Sequence, residues 1–302
     1  MTVSDMDKSV TFYTRVLTFE KVSDTERSGP EFDQLYGVSH THIRVVDLKL
    51  GDESIELMQF LGAGGAPVPT DARSNDLSFQ HVAIIVSDMT QAFEALRQNH
   101  VQYISPYPQT LPEWNPNAAG IKAFYFQDPD GHPLEVLQFP PGKGDPKWQR
   151  SDGRLFLGID HTAIVVSNTD ASRAFYGTLL GMRVAGESEN YGFEQEHLNN
   201  VFGAHLRITA LRSPSGIGVE LLEYITPRDG RPASANPSPT DIDHHETVIV
   251  VDDLTGLSVQ LLAQSFSGVS VKQIADSGLL FNASHAELVR DPDGHFLLLL
   301  QR

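Results

Sequence analysis

The chain has 302 residues, no Cys, 22 Lys and Arg against 39 Asp and Glu for a formal net charge of −17, and 40% hydrophobic residues. An ordinary apolar fraction excludes a disordered acidic chain, and the acidity argues against nucleic acid or a membrane surface as partner. Without Cys there is no disulfide framework, thiolate metal site or Cys nucleophile, so any metal must be held by imidazole and carboxylate.

In chain order, Val3-Ser4-Asp5-Met6 reads as the capped start of an amphipathic helix carrying Phe12-Tyr13, both expected in the core. Strand-like runs follow at 41–50 and 54–60, then a Pro/Gly-rich break at 62–69. A β-branched run at 81–86 leads into an Asp88-capped helix over 91–96, then strands at 122–126 and 132–139 and a second break at 140–146. The pattern returns with a strand at 161–166, a helix carrying Phe175-Tyr176, a break at 227–239 and a final apolar run at 296–300. None of these runs spans a bilayer, and the N-terminus lacks the charged and apolar regions of a signal peptide, so a cytoplasmic protein is expected.

The return is a duplication. Phe12-Tyr13 falls on Phe175-Tyr176, and Asp128-Pro129-Asp130-Gly131-His132 on Asp291-Pro292-Asp293-Gly294-His295, both at an offset of 163. Each half repeats again: Val3-Ser4-Asp5-Met6 recurs as Val86-Ser87-Asp88-Met89, with related starts at Val166-Ser167-Asn168 and Val251-Asp252-Asp253. The expected organisation is α+β, with four βαβββ modules in two domains. The first domain is 1–148, with modules 1–78 and 79–140. The second is 149–302, with modules 155–227 and 240–302.

Two residue types recur where chemistry would be wanted. His81 and His161 each start a module's first strand, while Glu56, Glu135 and Glu220 each stand in a last strand among apolar neighbours. A carboxylate in a strand that otherwise reads as buried is costly unless it is paired or bound to a cation. If first and last strands are neighbours, each module offers one imidazole and one carboxylate, and two facing modules give a four-ligand N/O site suited to Fe(II), Mn, Ni, Co or Zn.

The H-x-A-[IV]-x-V-S-[DN] starts, the FY-x2-[LV]-L helices and the D-P-D-G-H-x-x-E ending resemble the vicinal oxygen chelate superfamily, which includes glyoxalase I, extradiol dioxygenases and bleomycin resistance proteins. The likeness covers essentially the whole chain. It implies modules paired into two cup-shaped mixed or antiparallel sheets with helices outside, a divalent metal in the cup, and a small-molecule substrate that chelates it through two adjacent oxygens. It also leaves room for a homodimer. Carried over by position, the ligands of the first half are Glu56, His81 and Glu135, with Glu56 and Glu135 as the catalytic carboxylates. The fourth position falls upstream of Met1, so the first strand of module one is expected to be missing. In the second half His161 and Glu220 match, His245 or Glu246 occupies the third position, and Leu298 stands where Glu135 has its counterpart, giving a weaker site or a scaffold.

The leading expectation is a metal-dependent lyase or isomerase of glyoxalase type. An Fe(II) extradiol dioxygenase and a metal-free small-molecule binding protein are the alternatives. Arg44 and Arg207, which recur on equivalent strands, either clamp an anionic substrate or pair with nearby carboxylates. Trp114, in the loop 106–116, is expected at a cup mouth. The DPDG segments read as turns, with His132 and His295 as surface or turn-bonding residues.

Overall fold

The computed structural model describes residues 1–150, 152–263, 273–275 and 283–302. Module one comprises α1 (Met6–Arg15), β1 (Glu20–Ser28), α2 (Pro30–Tyr36), β2 (His42–Leu50) and β3 (Glu53–Phe60). Module two comprises β4 (Phe79–Val86), α3 (Met89–Gln98), β5 (Gln102–Tyr103), β6 (Gln109–Thr110), β7 (Lys122–Gln127) and β8 (Pro133–Gln138). A 3-10 turn, Pro146–Gln149, lies in the connector to module three, which has β9 (Phe156–Val165), α4 (Thr169–Arg173), β10 (Arg183–Tyr191), α5 (Phe193–Asn199), β11 (His205–Arg212) and β12 (Gly218–Thr226). Module four has β13 (Glu246–Val251), α6 (Leu254–Ala263), β14 (Gln273–Ala275), β15 (His285–Arg290) and β16 (Phe296–Gln301). The helix caps are those expected: Asp5, Asp88 and Asn168 each accept from a backbone N–H in the first turn.

The strands form open, curved α+β sheets of repeated modules, as expected. One nine-stranded sheet runs β10-β11-β12-β9-β4-β8-β7-β5, with β6 alongside β7, and so takes its strands from modules two and three. Its two central strands are buried along nearly their whole length, and its edge strand β10 is polar and exposed. Modules one and four supply the same order in two pieces, β1-β2-β3 and β13-β16-β15-β14. Between them, where β9 stands in the first cup, lie Met1, Thr2 and Val3. Thr2 bridges Met58 of β3 in parallel, and its N–H donates to the His244 carbonyl at 3.0 Å. The place is therefore one strand wide. Alongside it, a cleft of about 1140 Å³ is lined by both flanking strands, β3 and β13.

Alternation along the strands separates two kinds of core. On the outer faces, Val46, Leu48 and Leu57 pack with Val82, Ile84, Leu134 and Val136, joining modules one and two back to back. Ile164, Val219 and Leu221 pack likewise with Leu297 and Leu299, joining modules three and four. On the inner faces, Val45, Met58 and Phe60 meet Leu288, Leu298 and Leu300, closing modules one and four together. Each half of the chain thus shares an outer core, while each cup takes one module from each half.

The DPDG turns are the bolts of this arrangement. Buried Asp128 accepts from the Tyr13 hydroxyl at 3.2 Å, from the backbone N–H of Asp130 and His132 at 2.8 and 2.9 Å, and from His132 Nδ1 at 2.8 Å. Tyr176 and Asp291 repeat the contact at 3.1 Å in the other half. His132 is fully buried, not at the surface, because both of its ring nitrogens face acceptors: Asp128 and, at 2.6 Å, the Ile242 carbonyl. Both must donate, so the ring is an imidazolium. Burial opposes that charge, and the Asp128 carboxylate outweighs it, raising the ring above its ordinary value.

Removing one member of a buried pair leaves the other uncompensated, so His132→Ala is expected to cost about 3–5 kcal/mol of stability by chemical denaturation. The raised ring stabilises the fold fully below the ordinary imidazole value of about 6.5 and loses that contribution as the pH rises through the raised value. Calorimetry should therefore show an alkaline fall in Tm that is smaller in the variant.

Candidate metal centre

The centre is set by strand register. In the antiparallel pair β4 and β9, His81 lies opposite Ala163 and Ala83 opposite His161. The parallel neighbours put Glu135 of β8 beside Ala83 and Glu220 of β12 beside Ala163. All six residues share one face, because their intervening neighbours Val82, Leu134, Val136, Ile164, Val219 and Leu221 belong to the outer cores. Two His and two Glu thus surround a pair of alanines whose methyl groups leave the space between them open.

The donor atoms converge in that space. His81 Nε2 lies 3.1 Å from Glu135 Oε2 and 3.3 Å from His161 Nε2. His161 Nε2 lies 3.5 Å from Glu220 Oε2 and 3.8 Å from Glu135 Oε2. Donors about 2.1 Å from a common tetrahedral ion would stand about 3.4 Å apart. His81, His161 and Glu220 offer ligand atoms all within 4.8 Å of one another, a spacing that suits a divalent cation, with Glu135 against both imidazoles. The tautomers sharpen the point. His81 Nδ1 donates to Gln80 Oε1 and His161 Nδ1 to Asp160 Oδ2, which leaves the two Nε2 lone pairs of the neutral rings facing each other. Such an encounter needs a proton or a cation between the rings. Without a cation the proton is favoured. Burial works against a charged His161, but Glu220, Asp160 and Glu135 outweigh it and push the ring up to about 9.

Around the donors, Tyr125 packs its ring 4.9 Å from that of His81. Its hydroxyl is held well above the phenol range by burial and then by the charges of Glu135 and Glu220. Helix α5 roofs the cup: Leu198 packs with Ile85, Tyr125 and Leu137, and its carbonyl accepts from Ser105 Oγ at 2.6 Å. A cleft of about 640 Å³ reaches His161 and Glu220 and is lined by Ile121, Leu137, Phe139, Ala185, Ala210 and Arg183, among others. Glu220 is the more open carboxylate, its side chain 20% exposed against 4% for Glu135.

Of the residues singled out in the sequence, the structure brings together His81, Glu135, His161 and Glu220. It does not bring Glu56 to them. Glu56 lies on β3 in the other cup, opposite Asp47, and burial and then Asp47 push its carboxyl up to about 8. In the same cup Glu246 accepts from His244 Nε2 at 2.7 Å, and Leu298 is fully buried in the apolar core. His245 stacks on Phe79 at 4.1 Å and donates from Nδ1 to the Asp243 carbonyl at 2.9 Å. The set His161, Glu220, His245 and Glu246 is therefore divided between the two cups. Arg44 pairs with Asp7 and Asp24, both at 2.8 Å, and Arg207 with Asp170 at 3.1 Å. Trp114, half-exposed, stacks on Tyr191 at 4.3 Å, in a loop whose Asn115 and Asn117 bond to β10. The sequence reading passed over Gln80, Asp160 and Tyr125. For the first two the signal was present: a side-chain acceptor precedes the His in both copies of the motif.

The chain belongs to the Glyoxalase/Bleomycin resistance protein/Dioxygenase superfamily, whose family description matches residues 1–136 and 158–299. Among solved structures it is similar to glyoxalase I from Zea mays, with 17% identity, a TM-score of 0.64 and coverage of 99% of this chain and 89% of that one. It is also similar to a Bacillus subtilis protein assigned provisionally as a dioxygenase, with 15% identity, a TM-score of 0.58 and coverage of 99% and 82%. At these identities the likeness defines the fold. No curated protein matches the sequence significantly.

Ala83 is fully buried between His161 and Glu135. Ala83→Leu should lower the affinity for Zn(II) or Co(II) by about ten-fold or more in chelator competition, at an overpacking cost of about 1–3 kcal/mol. Unchanged affinity would show that the donors do not meet above this alanine.

Proposed function

We propose that the chain is a metal-dependent lyase or isomerase of glyoxalase type, acting at His81, Glu135, His161 and Glu220 on a small substrate with two neighbouring oxygens. The observation that supports this reading is the convergence of two imidazole lone pairs and two carboxylates on one face of the sheet. When bound, a divalent ion supplies a Lewis acid that polarises a carbonyl and steadies negative charge on the adjacent oxygen.

The protein's own residues divide the remaining work. His81 and Glu135, on adjacent strands and nearly sealed from solvent, form the fixed side of the centre. Glu220 faces the cleft and has the freedom to accept a proton from a carbon next to the carbonyl and return it to the neighbouring carbon. Ile121, Leu137 and Phe139 supply apolar walls to the cleft, and α5 packs over Ile85, Tyr125 and Leu137 beside the centre. A dioxygenase facial triad needs two His and one carboxylate with open positions, which would leave one of these two carboxylates without a part.

With the metal-loaded protein, proton exchange next to the carbonyl should be followed by NMR across a panel of vicinal hydroxycarbonyl compounds. Glu220→Gln is expected to lower the exchange rate by about 10²–10⁴-fold, and Glu135→Gln to lose metal as well as activity. Full activity in both variants would overturn the assignment. A ring-fission product from a catechol and air would move it to the dioxygenases.

A further inference from the structure

The residue before each histidine of the centre serves the same purpose in both strands, but with different charge. Gln80 presents a neutral amide oxygen to His81 Nδ1, whereas Asp160 presents a carboxylate to His161 Nδ1 at 2.9 Å. Asp160 is in turn clamped from two sides. Trp148 Nε1 donates to its Oδ1 at 2.9 Å, and Arg212 donates to its Oδ2 at 2.5 Å and to its backbone carbonyl. These bonds keep the carboxylate ionised although it is buried: burial raises its pKa, and His161, Arg212 and Trp148 together bring it far below the usual range.

Trp148 belongs to neither module of the cup. It stands in the turn Pro146–Gln149, in the connector between the two halves of the chain. That connector is tied on its other side too, because Lys147 pairs with Glu53 of β3, and Glu53 accepts from the Ile159 N–H at 3.2 Å, one residue before Asp160. A hydrogen bond on Nδ1 fixes which imidazole nitrogen keeps the lone pair and how the ring is turned. An anionic acceptor also makes that nitrogen the better donor to a metal.

We propose that Asp160 is the positioning residue of the centre, holding His161 Nε2 toward the cation, and that Trp148 and Arg212 hold Asp160. The connector between the halves is then a working part of the site. The two imidazoles are unequal ligands, His161 being the stronger donor. This rests on the metal-binding reading given above, and the test separates the two.

Co(II) affinity is measured by chelator competition for the full chain and for Asp160→Asn, Trp148→Phe, Gln80→Ala and His161→Ala, with circular dichroism to confirm the fold. Asp160→Asn is expected to bind about 10–100-fold more weakly, Trp148→Phe to weaken in the same direction by a smaller factor, and Gln80→Ala to lose less than Asp160→Asn. In the Cu(II)-loaded protein, electron spin-echo modulation reads the uncoordinated imidazole nitrogen directly, and Asp160→Asn and Trp148→Phe should both change the signal of one imidazole. A general loss of stability would not move that signal selectively. Trp148→Phe removes the indole N–H while leaving an aromatic ring in the same core cluster, so it carries the test if Asp160→Asn fails to fold. Affinities within two-fold of wild type with unchanged echo modulation, alongside a strong loss in His161→Ala, would overturn the positioning role alone. Wild-type affinity in His161→Ala would overturn the metal reading and this proposal together.

Discussion

The candidate metal centre of this protein depends on the antiparallel pairing of β4 with β9. A strand of the H-x-A kind carries one imidazole and, two residues on, one methyl group on the same face. Pairing two such strands in opposite directions sets each imidazole opposite the other strand's alanine. The parallel strands β8 and β12 then place a carboxylate beside each alanine. A slip of one residue would turn every donor into the outer core. Register is protected because Val82, Ile84, Leu134 and Val136, and Ile164, Val219 and Leu221, on the opposite faces of the same strands are committed to the outer cores.

The same pairing explains why the second cup differs. There Met1, Thr2 and Val3 stand at the central position, and the strands on either side carry Glu56 and Glu246. Leu298, at the place of Glu135, packs against Val45 and Met58 instead of meeting a donor. The carboxylates of that cup are satisfied locally, Glu246 by His244 and Glu56 by sharing hydrogen-bonding contact with Asp47. The two cups thus differ, one bringing His81, Glu135, His161 and Glu220 together and the other pairing Glu246 with His244 and Glu56 with Asp47.

Local interactions that look secondary hold this geometry in place. The Tyr13 and Asp128 contact, and its repeat in Tyr176 and Asp291, tie an odd module's helix to an even module's turn. The charged His132 extends the first of these ties to the segment leading into module four. Asp160, Trp148 and Arg212 do the equivalent for the centre itself. The buried charges of Asp128, His132 and Asp160 stand where several chain segments must agree on one position, and each is hydrogen-bonded, the condition under which burying a charge is tolerable.

Much of this was legible in the sequence, because periodicity is a local property. The offset of 163 and the shorter repeat within it gave four βαβββ modules, the Asp and Asn caps gave helix starts, and the isolated carboxylates in apolar strands marked Glu135 and Glu220 as residues with a partner to find. His81 and His161 stood out for the same reason. The partnership itself was not legible. Sequence order suggested that neighbouring modules face one another, which placed Glu56 with His81 and Glu135. Only the folded chain decides that adjacent modules share their outer faces and that inner faces are matched across the halves, because strand pairing between distant segments is set by long-range packing and not by anything local to either strand. Arg44 shows the same limit, since its carboxylate partners Asp7 and Asp24 come from two other elements. The sequence determined which residues could be ligands, and the tertiary structure decided which of them meet.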